Sequence, residues 1–428
     1  GDLDWVHRLQ YGYTGSALNS PASRNYVIGF FDSGATADVI GACDAGTLGI
    51  SSWWVSRVGE AGLACLAPAC GIPGDSVTAQ ITQPLGIFAA SLGAIQADGA
   101  LDLGQVVGHT NVSVIVSPDE PCEDGLNTPT VIGTPLLSFF TTVIRNDLPR
   151  TVNVGGVEYT SPDVRMFRPG DPGIPTYPRR ISLTFGGLVP VTTASYYGDL
   201  EDFVTPTTPT LLSLSALSVP LGGAFFTTIG VVEGEPGPTN PLQNMRVLVD
   251  TGAQSSIMSC AMAANLSLPL APDFTVDVLG VCGFLSDVPG YYVDYVKINA
   301  QGGALEYSQS PFIVLDLPSI DGGALDGVLG MNFFWDRNLV FQPSISGSGF
   351  LQVSDPLSIG PDADFDNDGD VDLTDFTRFQ ACFNGPNRAS AFSECGEADF
   401  DGDSDVDLKD FTVFQGCFNG PNRVPRCT

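Results

Sequence analysis

Phe30-Phe31-Asp32-Ser33-Gly34-Ala35 and Leu248-Val249-Asp250-Thr251-Gly252-Ala253 are the two stretches of this 428-residue chain whose reading decides its fold. Each is an apolar strand that runs into Asp, a hydroxyl residue, Gly and Ala. Downstream of each comes an apolar pair followed by glycine: Val131-Ile132-Gly133 after the first, Val328-Leu329-Gly330 after the second. A single Asp-Ser/Thr-Gly is usually a turn after a strand. Two copies in the same context mark a duplicated unit with a carboxylate at the equivalent point of each half.

Two facing carboxylates do what one cannot. Like charges a few ångströms apart resist double ionisation, so the pair shares one proton. The charged member is then a base toward water, and the protonated member polarises a carbonyl. Each Asp needs a tight turn to reach the midline, and Gly34 and Gly252 permit the close approach. On these residues the chain resembles the pepsin and retropepsin class of aspartic proteases, with both halves fused in one polypeptide. The resemblance covers roughly residues 25–145 and 220–345. It implies a mainly β, bilobal fold with lobes of the double-ψ β-barrel type, catalysis by Asp32 and Asp250 without a cofactor, and a polypeptide substrate. It further implies that Ser33 and Thr251 hydrogen-bond across to the opposite lobe, and that the Gly133 and Gly330 segments pass beneath the catalytic loops. Ala35 and Ala253 stand where many pepsins carry a hydroxyl donor to the carboxylate. Retroviral-type enzymes carry Ala there, and Gly330-Met331-Asn332-Phe333 resembles their second motif. Without that donor the ionised dyad is less stabilised, which predicts a weakly acidic optimum. The stretch from Gly71 to Gly99, where the first lobe's flap is expected, has no tyrosine, and Phe88 is its only aromatic residue.

Composition narrows the setting. The chain has 17 basic and 48 acidic residues and a net charge of −31. Nucleic acid and anionic membrane surfaces are excluded as partners, because both need positive patches. The sequence holds no apolar run near the ~20 residues of a spanning helix. Fifty Gly and 32 Pro favour short strands and many turns. His7 and His109 are the only histidines, which leaves few bases for a Ser-His or Cys-His pair. Ten cysteines in an acidic chain point to an oxidising, extracellular setting, and Gly1 reads as a mature N-terminus. Spacing pairs Cys65 with Cys70 and Cys260 with Cys282, leaving Cys43 with Cys122.

Organisation follows from the pattern of apolar runs. Residues 1–146 read as an N-terminal lobe, 147–218 as a connector or insertion rich in Pro, Gly and Thr, and 219–353 as a C-terminal lobe. Residues 354–362 are a linker and 363–428 a small helical domain. That last segment repeats itself 35 residues on: Ala363-Asp364-Phe365-Asp366 recurs as Ala398-Asp399-Phe400-Asp401, and both copies close on Cys-Phe-Asn-Gly-Pro-Asn-Arg. Asp364, Asp366, Asp368, Asp370, Asp372 and Asp375 fall at positions 1, 3, 5, 7, 9 and 12 of an EF-hand-like loop with Gly369 at position 6. Asp399, Asp401, Asp403, Asp405, Asp407 and Asp410 repeat the pattern, with Ser404 in place of the glycine. This spacing wraps oxygens around a hard cation and predicts two Ca2+ sites, one at Asp364, Asp366, Asp368, Asp370 and Asp375, the other at Asp399, Asp401, Asp403, Asp405 and Asp410.

With Asp at position 12 and no helix ahead of the loop, the repeat resembles type I dockerins. That resemblance implies a cohesin-like or cell-surface partner, met through positions 10 and 11: Leu373-Thr374 and Leu408-Lys409. Leu373, Phe376, Phe379 and Phe383, and likewise Leu408, Phe411, Phe414 and Phe418, recur near helical spacing and read as the domain's core. Cys382–Cys395 and Cys417–Cys427 each close a loop after a helix. The whole reads as a secreted bacterial aspartic endopeptidase tethered through a calcium-loaded module. The alternative is a catalytically silent structural or adhesive surface protein on the same scaffold, which self-assembles or docks to a partner.

Overall fold

Short apolar runs broken by glycine and proline become strands, and in a computed structural model the chain is mainly β. Residues 27–47, 60–64, 66, 70–72, 74–82, 85–95, 102–112, 114–117, 130–154, 157–186, 196–199, 223–280, 283–316, 325–343, 348–357, 363–366, 370–386, 388, 395, 398–400 and 405–418 are described. They fall into two compact units that divide between Asp355 and Pro356.

In the first unit the chain lays down β1 (Gly29–Phe31), β2 (Val39–Ile40), helix α1 (Ala42–Thr47), β3 (Glu60–Ala64), β4 (Ser76–Ile81), β5 (Leu85–Ala89), β6 (Val107–Val112), β7 (Ile115–Val116), β8 (Thr130–Ile132) and helix α2 (Thr134–Leu137). It continues through β9 (Thr141–Val154), β10 (Val157–Phe167), β11 (Arg179–Gly186) and β12 (Tyr196–Asp199). The second half holds β13 (Ala224–Val232), β14 (Gln243–Val249), β15 (Ser256–Met258), helix α3 (Cys260–Leu266), β16 (Phe274–Gly280), β17 (Gly283–Ile298), β18 (Leu305–Val314), β19 (Gly327–Leu329), β20 (Leu339–Gln342) and β21 (Ser348–Val353).

The duplication seen in sequence is a duplication of topology. One sheet has the order β1-β8-β2-β7-β4-β3, and the larger sheet ends on β14-β19-β15-β18-β17-β16. Each pairing of the first matches its counterpart in sense: β1–β8 and β14–β19 are parallel, β2–β8 and β15–β19 antiparallel, β2–β7 and β15–β18 parallel. The outer hairpins β3–β4 and β16–β17 are both antiparallel. Val247, Leu248 and Val249 are all buried, as a strand covered on both faces requires.

The stretch 147–218, expected to be a connector, supplies strands instead. β9 runs unbroken across the expected lobe boundary and pairs with β20, while β11 pairs with both β21 and β13. These strands extend the second lobe's sheet to twelve among the described residues. Period-two alternation explains β11: Ile181 and Leu183 are fully buried while Ser182 and Thr184 face outward. That alternation is already readable in the sequence as a strand over residues 181–185, although the stretch around it reads as a connector. Phe225, Phe312, Phe341, Ile181 and Leu351 share the main core, with Phe225 edge-on to Phe341 at 4.8 Å.

In the second unit, helices α4 (Leu373–Cys382) and α5 (Leu408–Cys417) pack through Phe379 and Phe414, whose ring centroids lie 5.0 Å apart. Phe376, Phe411, Phe365 and Phe400 close around them. Asp372 and Asp407 cap the helices, and each forms a capping box with Asp375 or Asp410. The expected apolar stripe is buried only at its middle. Leu373 and Leu408 are 69% exposed, and Phe383 and Phe418 are also exposed, because they sit at helix ends beyond the helix–helix contact.

Two cysteine pairings are corrected. Cys70 is bonded to Cys260, so neither Cys65–Cys70 nor Cys260–Cys282 forms. The loop between β3 and β4 crosses to the start of α3, where Asp316 accepts from Gly71 N (3.3 Å) and Cys260 N (3.2 Å). Short sequence separation was the wrong guide, because the lobes bring distant segments together. Cys382 is joined to Cys395. Cys43 and Cys417 are disulfide-bonded. Their expected partners Cys122 and Cys427, with Cys65 and Cys282, lie outside the described residues. Among the described residues no helix is long and apolar enough to cross a membrane.

Candidate active site

Asp32 and Asp250 each follow the last residue of a strand, β1 and β14, and the sheet fixes both in the same way. Asp32 N donates to Ile132 O and Asp250 N to Leu329 O, both at 3.0 Å, which continues the parallel ladder into the loop. The chain then turns back on its own carboxylate. Asp32 Oδ1 accepts from Gly34 N (2.7 Å) and Ala35 N (2.9 Å), and Asp250 Oδ1 accepts from Gly252 N (2.8 Å) and Ala253 N (3.2 Å).

Four reciprocal hydrogen bonds lock the loops together. Ser33 Oγ donates to Val249 O (2.8 Å) and accepts from Thr251 N (3.0 Å). Thr251 Oγ1 donates to Phe31 O and accepts from Ser33 N, both at 3.0 Å. Each hydroxyl therefore satisfies a carbonyl and an amide, both in the opposite lobe. Ser33 is fully buried, so these bonds form where unpaired groups are costly.

The glycines face the opposite carboxylates. A Cβ on Gly34 would lie 2.4 Å from Asp250 Oδ2, and one on Gly252 would lie 2.6 Å from Asp32 Cγ. The two carboxyl groups hydrogen-bond to each other. Burial, the neighbouring charge of Asp32 and that hydrogen bond hold the Asp250 carboxyl well above the usual carboxylate range. Like charges this close resist double ionisation, so such a pair shares one proton.

Beneath the loops lies a support the motifs announced only in part. Gly133 and Gly330 press against loop carbonyls: Thr134 N donates to Ala35 O (2.8 Å) and Met331 N to Ala253 O (2.9 Å). A Cβ on Gly133 would stand 2.5 Å from Ala37 O, and one on Gly330 2.8 Å from Ala253 O. Sequence reading missed what holds these glycines. Gly133 N donates to buried Asp38 Oδ1 (2.8 Å), and Gly330 N to Ser256 Oγ (2.9 Å), which in turn donates to Asn332 Oδ1 (2.7 Å). Asp38 and Ser256 each stand six residues after a motif aspartate, and that equal offset was the available signal.

Residues 233–333 match the aspartyl protease family. The matched segment holds Asp250, Thr251, Gly252 and Gly330, the second lobe's share of the site. Solved structures similar to the chain include two aspartic proteases. A retropepsin-like aspartic protease from Rickettsia conorii is 18% identical, covering 31% of this chain and 86% of its own, with a TM-score of 0.22. Aspartic proteinase from Irpex lacteus is 12% identical, covering 77% of this chain and 90% of its own, with a TM-score of 0.36. No curated protein sequence matches the chain.

The acidic loops of the second unit form separate clusters. Asp364, Asp366 and Asp375 offer carboxylate oxygens within 4.8 Å of one another, as do Asp370, Asp372 and Asp375, and Asp405, Asp407 and Asp410. Asp375 and Asp410 are fully buried. Asp368, Asp401 and Asp403, with Gly369 and Ser404, lie outside the described residues.

Proposed function

We propose that the chain is an aspartic endopeptidase whose catalytic residues are Asp32 and Asp250. The observation that carries this reading is the contact of two carboxyl groups across a reciprocally bonded pair of loops, with Asp250 held protonated. A water between the carboxyls and a substrate carbonyl gives up a proton to charged Asp32 as its oxygen attacks carbon. Asp250 donates its proton to the carbonyl oxygen, forming a neutral tetrahedral diol. As the C–N bond breaks, protonated Asp32 gives its proton to the leaving nitrogen and Asp250 takes one from a diol hydroxyl, which restores the shared proton. Ser33, Thr251 and the Gly133 and Gly330 segments hold the carboxyls in place.

The test is cleavage of an unfolded polypeptide across mildly acidic pH. Asp32→Asn and Asp250→Asn should each lower kcat by about 10³-fold or more with the fold retained, and a statine-type mimic should inhibit the wild type. Cleavage that persists in either variant, or an inactive wild type, overturns the reading.

The second unit is proposed to be a calcium-binding, dockerin-like tether on a secreted protein. Its donors fit a hard cation: buried carboxylates converge within a few ångströms, where without a cation they would repel one another. Asp364, Asp366, Asp370 and Asp375 would hold one ion, Asp399, Asp405 and Asp410 part of the second. Bound calcium would supply charge neutralisation and order, with no part in hydrolysis. Asp372 and Asp407 remain helix caps. The exposed Leu373 and Leu408, related by the repeat, give a cohesin-like or cell-surface partner two matching apolar contacts.

A further inference from the structure

The Cys70–Cys260 bridge joins residues 190 positions apart and ties one lobe to the other. Its first end lies in the loop between β3 and β4, the hairpin whose place in the first lobe matches that of β16–β17 in the second. Its second end is the first residue of α3, ten residues after Asp250. The crossing is reinforced twice. Asp316 accepts from the backbone on both sides of the bridge, at Gly71 and Cys260. Leu66, four residues before Cys70, packs on a second-lobe cluster. The same cluster takes in Ala253 from the Asp250 loop and Val276, Val278 and Leu285 from the β16–β17 hairpin. The first hairpin's loop is thus seated on the wall that leads from Asp250 to the second hairpin.

A free hairpin beside a cleft swings aside to admit bulky substrates and closes on them afterwards. One end of this hairpin is covalently fixed to the opposite lobe, so it cannot swing. We propose that the Cys70–Cys260 bridge makes the β3–β4 loop a permanent strap between the lobes. The strap selects unfolded, extended polypeptide and rejects the loops of folded proteins. Cys70 and Cys260 are then specificity-determining residues for the proposed peptidase reaction, on which this assignment of substrate class rests.

The experiment compares the full-length chain with its Cys70→Ser/Cys260→Ser variant, using a short unstructured peptide and a natively folded protein as paired substrates. Near-UV circular dichroism checks that the variant is folded. If the strap excludes folded substrates, the variant's kcat/KM on the folded protein rises roughly tenfold while that on the peptide stays within about twofold. An unchanged ratio between the two substrates overturns the proposal. Hydrogen exchange of the same two proteins separates this failure from that of the peptidase reading. Amides of β4 should exchange at least about tenfold faster in the variant, with β14 and β19 unchanged, whether or not the protein cleaves anything. Equal β4 exchange overturns the strap even in an active enzyme. A wild type that cleaves neither substrate overturns the peptidase reading, and with it the substrate selection. As a second variant, Asp316→Ala, which leaves the disulfide in place, should loosen β4 less than the cysteine pair does. An equal or larger effect would place the restraint in the hydrogen bonds and overturn the assignment to the bridge.

Discussion

Ser33 illustrates how much of the site rests on single atoms. Its buried hydroxyl donates to Val249 O and accepts from Thr251 N, so Ser33→Ala leaves two groups of the opposite lobe without partners. The expected cost is about 2–4 kcal/mol in denaturant unfolding, and Ser33→Thr, which copies the second lobe, should recover most of it. A Thr variant as unstable as the Ala variant would mean that space, not hydrogen bonding, decides at this position. Asp250 makes a prediction of opposite sign. Its carboxyl is raised in the folded protein, so the folded state keeps a proton that the unfolded chain releases. That stability is full below the unfolded carboxylate range and is lost as pH rises through the raised folded value. Asparagine mimics the protonated form and has nothing to lose. The Tm of Asp250→Asn should therefore gain on wild type as pH climbs from about 4 toward 7; a difference that shrinks with pH would contradict the shared proton. The same proton sets activity, which should fall as pH rises through the upper titration of the pair and vanish with its loss.

At the level of elements, the strands are legible where one face alternates or both faces are apolar, and the helices where a cap precedes a phenylalanine stripe. β14 and β19 announced themselves through Leu248-Val249 and Val328-Leu329. β11 was visible as a strand, but its partners were not, since pairing with β21 and β13 depends on segments far away in sequence. In α4 and α5 the capping residues and the buried middle of each stripe define the contact. Phe379 is the test: it is 1% exposed and meets Phe414, Phe400 and Phe411. Phe379→Ala should cost about 3–5 kcal/mol, enough to unfold so small a module while leaving the first unit's thermal transition in place. Leu373→Ala, at an exposed position, should leave both transitions unmoved. Loss of the module's transition in the Leu373 variant would mean that the core has been misplaced.

The whole molecule divides between Asp355 and Pro356, and each unit has a core of its own. Acidic loops whose buried carboxylates converge should couple folding to calcium in the second unit alone. Calorimetry of the full chain should therefore show two transitions. A chelator should lower only that of residues 356–428, and calcium should restore it. One transition that moves as a whole under chelation, or no calcium binding, would sink the modular account.

The sequence by itself determined the duplicated aspartate loops, their supporting glycines, the two-helix repeat and the acidic loop spacing. Each of these is a local pattern: a strand that ends on a turn, a stripe at helical period, oxygens at alternate positions. Tertiary structure alone decided that residues 147–218 carry strands of the large sheet, and that Asp38 and Ser256 brace the two glycines. It also decided that Cys70 reaches across to Cys260 instead of closing a small loop with Cys65. In every such case the partner lies far away in the chain. Hydrogen-bond pairing, packing and disulfide geometry depend on distance in space, which the residues near a site in sequence do not specify.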